Sequence, residues 1–593
     1  MKKRSEVDEK YKWDLSMLYA SHEDYDRDFE RVKELCREML KFRGRLNSRD
    51  VILDEFRKSS ELSMILEKME VWLMLRKETD GTDKSALEDI AVLDNFLSDY
   101  GAETAFIDVE LSKLDDGFLN DLMQDPEFSE FDRAILYLKD EKKHTLDETQ
   151  EKMLTKIGSF ANFSEIFSKL DDIEIKFGKI KLESGEEVTI TNDNYNLFAH
   201  DKSQRVRKDA FEVLHKGFKD MNLTISENFI SFLKYCDVMS EFRKFDDTVQ
   251  SRLFSSRIKR DVLDGIVHHV NNNLESFYAY AKVLKKKLGL DVFHNIDVYA
   301  PVTSAEKHRL YGFDESVSIV KKALSPLGSN YLATVNKLVD SRTIDVYPTE
   351  NKGGGGFSVG CYGKLPYILL NFNGTFNDVS TLAHEMGHSV HTYLSQTNQC
   401  FEKAGYDIFV AEIASTVNEI LLFRYMEKTA ESDDERKSYI ANFLSTFYAT
   451  VFRQTMFTEF ELFVHGATKN RVPITYETLN FEYGKLQKKY FGEDVILLEN
   501  ANVEWSRIPH FYRPFYVYKY ATGFVAACSI VSNILERGED YVKNYYLKFL
   551  SAGSTKDPVD ILKLADVDIT DNKTYKSAFK LFDDYVNIFD SME

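Results

Sequence analysis

Between Thr381 and His391 the chain reads TLAHEMGHSVH, which sets His384 and His388 four residues apart with Glu385 between them. On a helix, residues four apart stand one turn apart on the same face, so both imidazoles can reach one ion. Glu385 projects beside them, placed to hold a water at that ion. Two histidines and an acid in this pattern suit metal-assisted hydrolysis. The chain has 13 histidines in 593 residues, so its composition does not produce the pattern by itself. His391 follows on the same face, but three histidines on one helix span about 10 Å of rise, too far for one small ion. It is expected to pack or to support a ligand. A longer histidine motif would need Gly at 391 and His at 394; those positions hold His391 and Leu394.

A catalytic zinc site keeps one position open and takes a third protein ligand, here expected to be an acid from another helix. Downstream, YDIFVAEIASTVNEILLFRYMEK is strongly helical and carries Glu412 and Glu419, seven residues apart on one face. A turn near Gly405 would return this segment antiparallel and bring Glu412 beside the histidines. Glu419 would then accept a histidine N–H. The reverse assignment, with Glu419 ligating and Glu412 supporting, stays open on pattern alone. Hydrolysis also needs a donor for the developing oxyanion. IPHFYRPFYVYKYATG offers His510, Tyr512, Tyr516, Tyr518 and Tyr520. Tyr512, Tyr516 and Tyr520 would share a face if the segment is helical, although Pro514 argues for a turn at its start.

The elements that must position these groups are mostly helices. Apolar residues recur at helical spacing from about 22 to 170, and Pro126 is the only proline before residue 300. The period then changes: DIEIKFGKIKLESGEEVTITN alternates and predicts a small antiparallel insertion near 172–191. The metal helix is expected to start near Asn377 or Asp378, either of which can cap it. Just before it, residues 343–374 read as short strands around a four-glycine loop, Gly353 to Gly356, expected to act as a mobile flap. PYILLN, residues 366–371, is expected as an edge strand that pairs with a substrate main chain. Tyr367 in that strand, with Gly354 and Gly355 in the loop, are candidate substrate contacts.

A chain of this length should form two lobes. The expected division is an N-terminal helical lobe over 1–195 and a catalytic domain over 196–593. A net charge of −21 without a basic stripe argues against a nucleic-acid partner. No apolar run is long enough for a membrane span, and the N-terminus lacks the apolar stretch of a signal peptide. Five scattered cysteines form neither a metal motif nor a disulfide frame, so the cytoplasm is the expected compartment.

At these residues the sequence resembles the oligoendopeptidase F group of the thimet-oligopeptidase-like zinc peptidases. The resemblance runs from EKYKWDLSMLY through PYILLNFNGT, HEMGHSVHTYLS and VAEIASTVNE to RIPHFYRPFYVYKYATG. It implies a mainly α fold: a two-lobed helical zincin with a deep central channel and a small β-sheet beside the metal helix. It assigns His384, His388 and Glu412 to one Zn2+ per chain and Glu385 to the general base. His510 and Tyr516 would stand nearest the scissile carbonyl, with Tyr512 and Tyr520 as further substrate contacts. Family members often carry basic residues near the start of the glycine loop, where this chain has only Lys352. The implied activity is cleavage of internal bonds in short unstructured oligopeptides. A zincin exopeptidase would need a site for a free terminus, and a non-catalytic peptide-binding scaffold would predict a lost base, yet Glu385 is present.

Overall fold

The scarcity of proline shows in helix length. Arg49–Thr79 runs 31 residues without a break. Pro126 opens a short 3₁₀ turn, Pro126–Phe128, a place where its missing N–H costs no hydrogen bond. The structure, a computed structural model, describes residues 2–158, 160–303 and 309–592. It is mainly helical, with one small sheet and one hairpin.

The chain divides into two compact units, each assembled from three segments. The first comprises Met1–Lys152, Arg309–Leu422 and Ile530–Asp566. Its aromatic core begins in the N-terminal helices, where Tyr25 stacks on Trp72 at 5.2 Å. That core continues into the sheet: Trp13 meets Tyr367 edge-on at 6.0 Å, and the Tyr367 hydroxyl donates to the Asp14 carbonyl at 2.9 Å. Residues 1–152 therefore share a core with the strands that precede the metal helix. A single cut at 195/196, as the sequence suggested, does not describe these units.

The sheet places strand Tyr367–Leu369 in the middle. It runs parallel to Ile344–Asp345, with Ile344 opposite Ile368, and antiparallel to Phe357–Val359, with Phe357 opposite Leu369. The expectation that PYILLN is an edge strand is corrected here. All three of its strand residues are buried, and a fully buried strand must have its backbone paired on both sides. The free edge next to it belongs to Phe357–Val359, which is half-buried.

The metal helix spans Phe376–Asn398. Its cap is Thr375, not Asn377 or Asp378. The Thr375 side chain accepts from Asp378 N–H at 3.3 Å while the Asp378 carboxylate accepts from Thr375 N–H at 2.8 Å. This reciprocal box satisfies two donors that a helix start otherwise leaves open.

The second unit comprises Met153–His308, Phe423–Ser529 and Val567–Glu593. The alternating segment forms a hairpin of Lys179–Lys181 with Glu187–Thr189, turning through Gly185 at φ +88°. Phe447, Phe452, Phe579 and Phe582 pack against one another in the core, with Phe447 and Phe582 at 4.6 Å. Arg207 and Asp297 form a buried ion pair at 2.7 Å. The carbonyls of Asp201 and Lys202 accept from Arg207 Nη1 at 2.7 and 3.0 Å. Removing either charge would strand the other, at a cost of about 3–5 kcal/mol.

All five cysteines are unpaired. Among the described residues, no helix is long and apolar enough to cross a membrane.

Candidate metal centre

The second helix of the site, Ile408–Thr429, crosses the metal helix at a glycine. A Cβ on Gly387 would lie 2.6 Å from Ser415 Cα and 2.8 Å from the Ala414 carbonyl oxygen. Only glycine permits this approach. Asn418 fixes the crossing: its Nδ2 donates to the Ala383 carbonyl at 3.0 Å, and its Oδ1 accepts from the Tyr331 hydroxyl at 2.9 Å.

This crossing brings three donor atoms together. His384 Nε2 and His388 Nε2 are 3.1 Å apart, and Glu412 Oε2 lies 3.6 and 3.8 Å from them. Zinc bonds of 2.0–2.1 Å in a tetrahedral arrangement would set donors about 3.3 Å apart. Two imidazoles and a carboxylate converging this closely repel one another unless a proton or cation sits among them. The donor set therefore fits a metal ion. Glu419 stands on the other side of His384, its Oε1 2.7 Å from Nδ1. Accepting that N–H fixes the tautomer and aims the Nε2 lone pair at the shared point.

The electrostatics follow from burial and these partners. Burial opposes charge on His384, but the hydrogen-bonded Glu419 carboxylate outweighs it and holds the pKa near 9. A coordinating imidazole must be neutral, so metal binding displaces that proton. Burial drives His388 down to about 3. Glu385 is pushed up to about 7, chiefly by burial, with His384 pulling the other way. Burial also raises Glu412. His391 is not among the converging donors. It is buried and stacks on Tyr406 with ring centroids 3.8 Å apart.

The glycine loop lies over the base: a Cβ on Gly356 would come 2.9 Å from Thr381 Cγ2 and 3.8 Å from Glu385 Oε1. The loop is tied down along its base. Asn371 Nδ2 donates to the carbonyls of Gly353 and Gly355 at 2.8 and 2.9 Å, and Gly353 N–H donates to Glu78 O at 2.8 Å. Gly354 and Gly355 at the tip have open space where a side chain would be, and Gly355 holds φ +76°. Lys352 faces inward: its ammonium pairs with Asp345 at 2.7 Å and donates to the carbonyls of Tyr347 and Leu370. The Tyr367 side chain is likewise buried, so the strand can offer a ligand nothing from that ring.

The aromatic segment belongs to the second unit. Three of its predicted residues cluster there: His510 lies 6.3 Å from Tyr516 and 6.2 Å from Tyr520, and the two tyrosines are 5.4 Å apart, ring to ring. Burial, with Arg513 and Arg453 nearby, lowers the His510 pKa. Tyr512 does not share their face. It packs on Phe167 and Phe232, and its hydroxyl accepts from Asn228 at 3.0 Å. The reason is local: the helix starts only at Tyr518, and Phe515, at φ +56°, breaks the spacing before it. Glu461 secures that strained residue by accepting Phe515 N–H at 2.7 Å.

Sequence reasoning missed Gly387, Asn418, Asn371 and Glu461. Gly387 carried a signal, since glycine inside a helix needs a packing reason. The two asparagines and Glu461 act through partners distant in sequence and carried none.

A mainly helical chain with two helix-borne histidines, a neighbouring acid and a further carboxylate from a crossing helix has the make-up of a metal-dependent hydrolase of the HEXXH type. Comparison with known proteins gives the family. Peptidase family M3 matches residues 197–581, and the Oligopeptidase F family matches residues 110–177. The oligoendopeptidase F homolog of Borreliella burgdorferi is 35% identical, covering 98% of each chain. A solved structure from Chlamydophila abortus superposes with a TM-score of 0.93 at 29% identity over 100% of both chains. Oligoendopeptidase-F from Enterococcus faecium superposes with a TM-score of 0.72 at 27% identity, covering 96% of this chain and 99% of the other. This chain belongs to peptidase family M3.

Proposed function

We propose that this protein is a zinc-dependent endopeptidase that hydrolyses internal bonds of short, unstructured oligopeptides, with one zinc ion per chain. The observation that carries the reading is the convergence of His384 Nε2, His388 Nε2 and Glu412 Oε2 beside a buried acid, in a chain of this family. The relatives' names, oligopeptidase and oligoendopeptidase, support the substrate class and the internal cut. Five unpaired cysteines support action in the cytoplasm.

His384, His388 and Glu412 would hold the metal, and Glu419 would fix the His384 ring. When bound, zinc supplies Lewis acidity to the scissile carbonyl and to the attacking water. Glu385 accepts the water's proton and delivers it to the leaving amine; its burial makes it a stronger base than an exposed carboxylate. His510 and Tyr516 donate hydrogen bonds to the carbonyl oxygen as it gains charge, and Tyr520 supports them in the cluster. The free edge of Phe357–Val359, rather than PYILLN, offers main-chain groups to an extended peptide.

The test is hydrolysis of a quenched peptide blocked at both termini, alongside a measurement of bound metal. Internal cleavage that a chelator stops and zinc restores supports the reading. Trimming of free-ended peptides alone would mean an exopeptidase, and bound zinc without hydrolysis a binding scaffold.

A further inference from the structure

A cavity of about 310 Å³ lies within the second unit, and His510 forms part of its wall. Arg453, Glu504 and Arg507 also line it, with the side chains of Tyr299, Tyr448 and Asn295. Two of the three charges cancel. Arg453 donates to Glu504 Oε1 at 2.6 Å, and the other carboxylate oxygen accepts from the Tyr483 hydroxyl and the Gln487 amide, both at 3.0 Å. Glu504 thus accepts three hydrogen bonds, and against its burial the Arg453 charge, with His215 and Arg507 at longer range, favours its ionised form.

Arg507 is left over. Its guanidinium lies over the Tyr195 ring at 4.8 Å, which holds it in place, and no carboxylate of the described residues sits within ion-pair distance. Glu504 and Asp171 act on Arg507 only at longer range, so in a chain with 98 acidic and 77 basic residues this arginine in a cavity wall keeps its fork free of a direct acid contact among the described residues. A half-buried guanidinium without an anion forgoes charge-assisted hydrogen bonds that water replaces poorly. Its planar fork matches a carboxylate. The cavity has about the volume of ten waters, enough for a residue that carries one.

We propose that this cavity binds a carboxylate of the peptide substrate through Arg507, which makes Arg507 a specificity-determining residue. The proposal rests on the reading that places His510 at the substrate. An extended peptide advances about 3.3 Å per residue, so a short one carries its terminal carboxylate within a few residues of any cleaved bond. An aspartate or glutamate side chain supplies the same chemistry.

The zinc-loaded enzyme is assayed on two matched pairs of quenched peptides. One pair differs only in a C-terminal carboxylate or carboxamide; the other, amidated, differs in Glu or Gln on the leaving-group side. In at least one pair the carboxylate member should show a KM about tenfold lower, and the pair that responds identifies the source. Arg507→Gln should bring that ratio near one, and Arg507→Lys should keep part of it. Calorimetric binding of one cleavage product, as acid and as amide, repeats the comparison without turnover. Equal KM values in both pairs with the unmodified enzyme would overturn the proposal, as would a ratio that survives in Arg507→Gln. The first comparison decides even if the variant does not fold. His510→Gln separates the two readings: an unaltered kcat on the amidated peptide would remove His510 from the reaction, while the carboxylate ratio still judges the cavity.

Discussion

Glu385 and Glu419 are both acids beside His384, yet the geometry gives them different work. Glu385 touches no ligand nitrogen, so Glu385→Gln should keep metal and fold while turnover falls by roughly 10²–10⁴-fold. Metal content and rate measured on one preparation decide it; bound metal with near-normal turnover would remove Glu385 from the base role. Glu412 supplies one of three donors, so Glu412→Ala should lose the metal. Glu419 acts through the His384 Nδ1–H at 2.7 Å, and Glu419→Ala should weaken metal binding by about 10–100-fold without abolishing it. Competition with a chelator of known affinity measures both, and a reversed order would exchange the two roles. At this scale much of the site was legible. Four-residue spacing on a helix dictates that His384 and His388 meet. No local rule separates Glu412 from Glu419, because the choice depends on where another helix crosses.

That crossing is the property of two elements, and Gly387 sets it. A methyl group there would meet backbone on the partner helix at 2.6 and 2.8 Å, and backbone cannot swing aside. Gly387→Ala should therefore push the helices apart, costing about 1–3 kcal/mol, and carry Glu412 away from the histidines. Thermal unfolding and metal affinity should fall together. Gly466→Ala is the control: it also lies within a helix, Arg453–Lys469, but has open space around the added carbon, so it should hold or raise stability. A Gly387→Ala protein with unaltered affinity would show that the close approach is incidental. The sheet shows what element-level patterns omit. PYILLN reads correctly as a strand from its β-branched and aromatic content. Whether a strand is central or at an edge depends on partners, and one of these, Ile344–Asp345, lies more than twenty residues before it. The aromatic segment failed similarly, since a left-handed Phe515 has no sequence signature of the kind that glycine provides.

Over the whole molecule the units interleave because contacts such as Tyr367 to Asp14 join residues 353 positions apart, beyond the reach of any periodicity. Each unit buries a carboxyl group other than those of the candidate metal centre: Glu55 in the first, Glu461 in the second, both pushed up to about 8 chiefly by burial. Above the ordinary carboxyl value the unfolded chain releases these protons while the native chain keeps them. The native state then binds more protons, so stability falls as pH rises toward 8, by at most about 1.4 kcal/mol per pH unit for each group. Buried His215 and His465, held down to about 4 and about 3 by burial, act in the opposite sense below their ordinary 6.5, where only the unfolded chain takes up protons. The two effects oppose each other on the acid side, and of these four groups only the carboxyls still act from about pH 7 to 8. Glu55→Gln and Glu461→Gln remove one titration each, and the side-chain amide carbonyl introduced by Glu461→Gln can still accept Phe515 N–H. Both variants should melt higher than the unmodified protein at pH 8, with the advantage shrinking steadily toward pH 5. The metal site is common to all three proteins, so its own pH dependence cancels in the differences. An advantage that stayed constant with pH, or grew on acidification, would mean that these carboxyls are ionised in the folded protein.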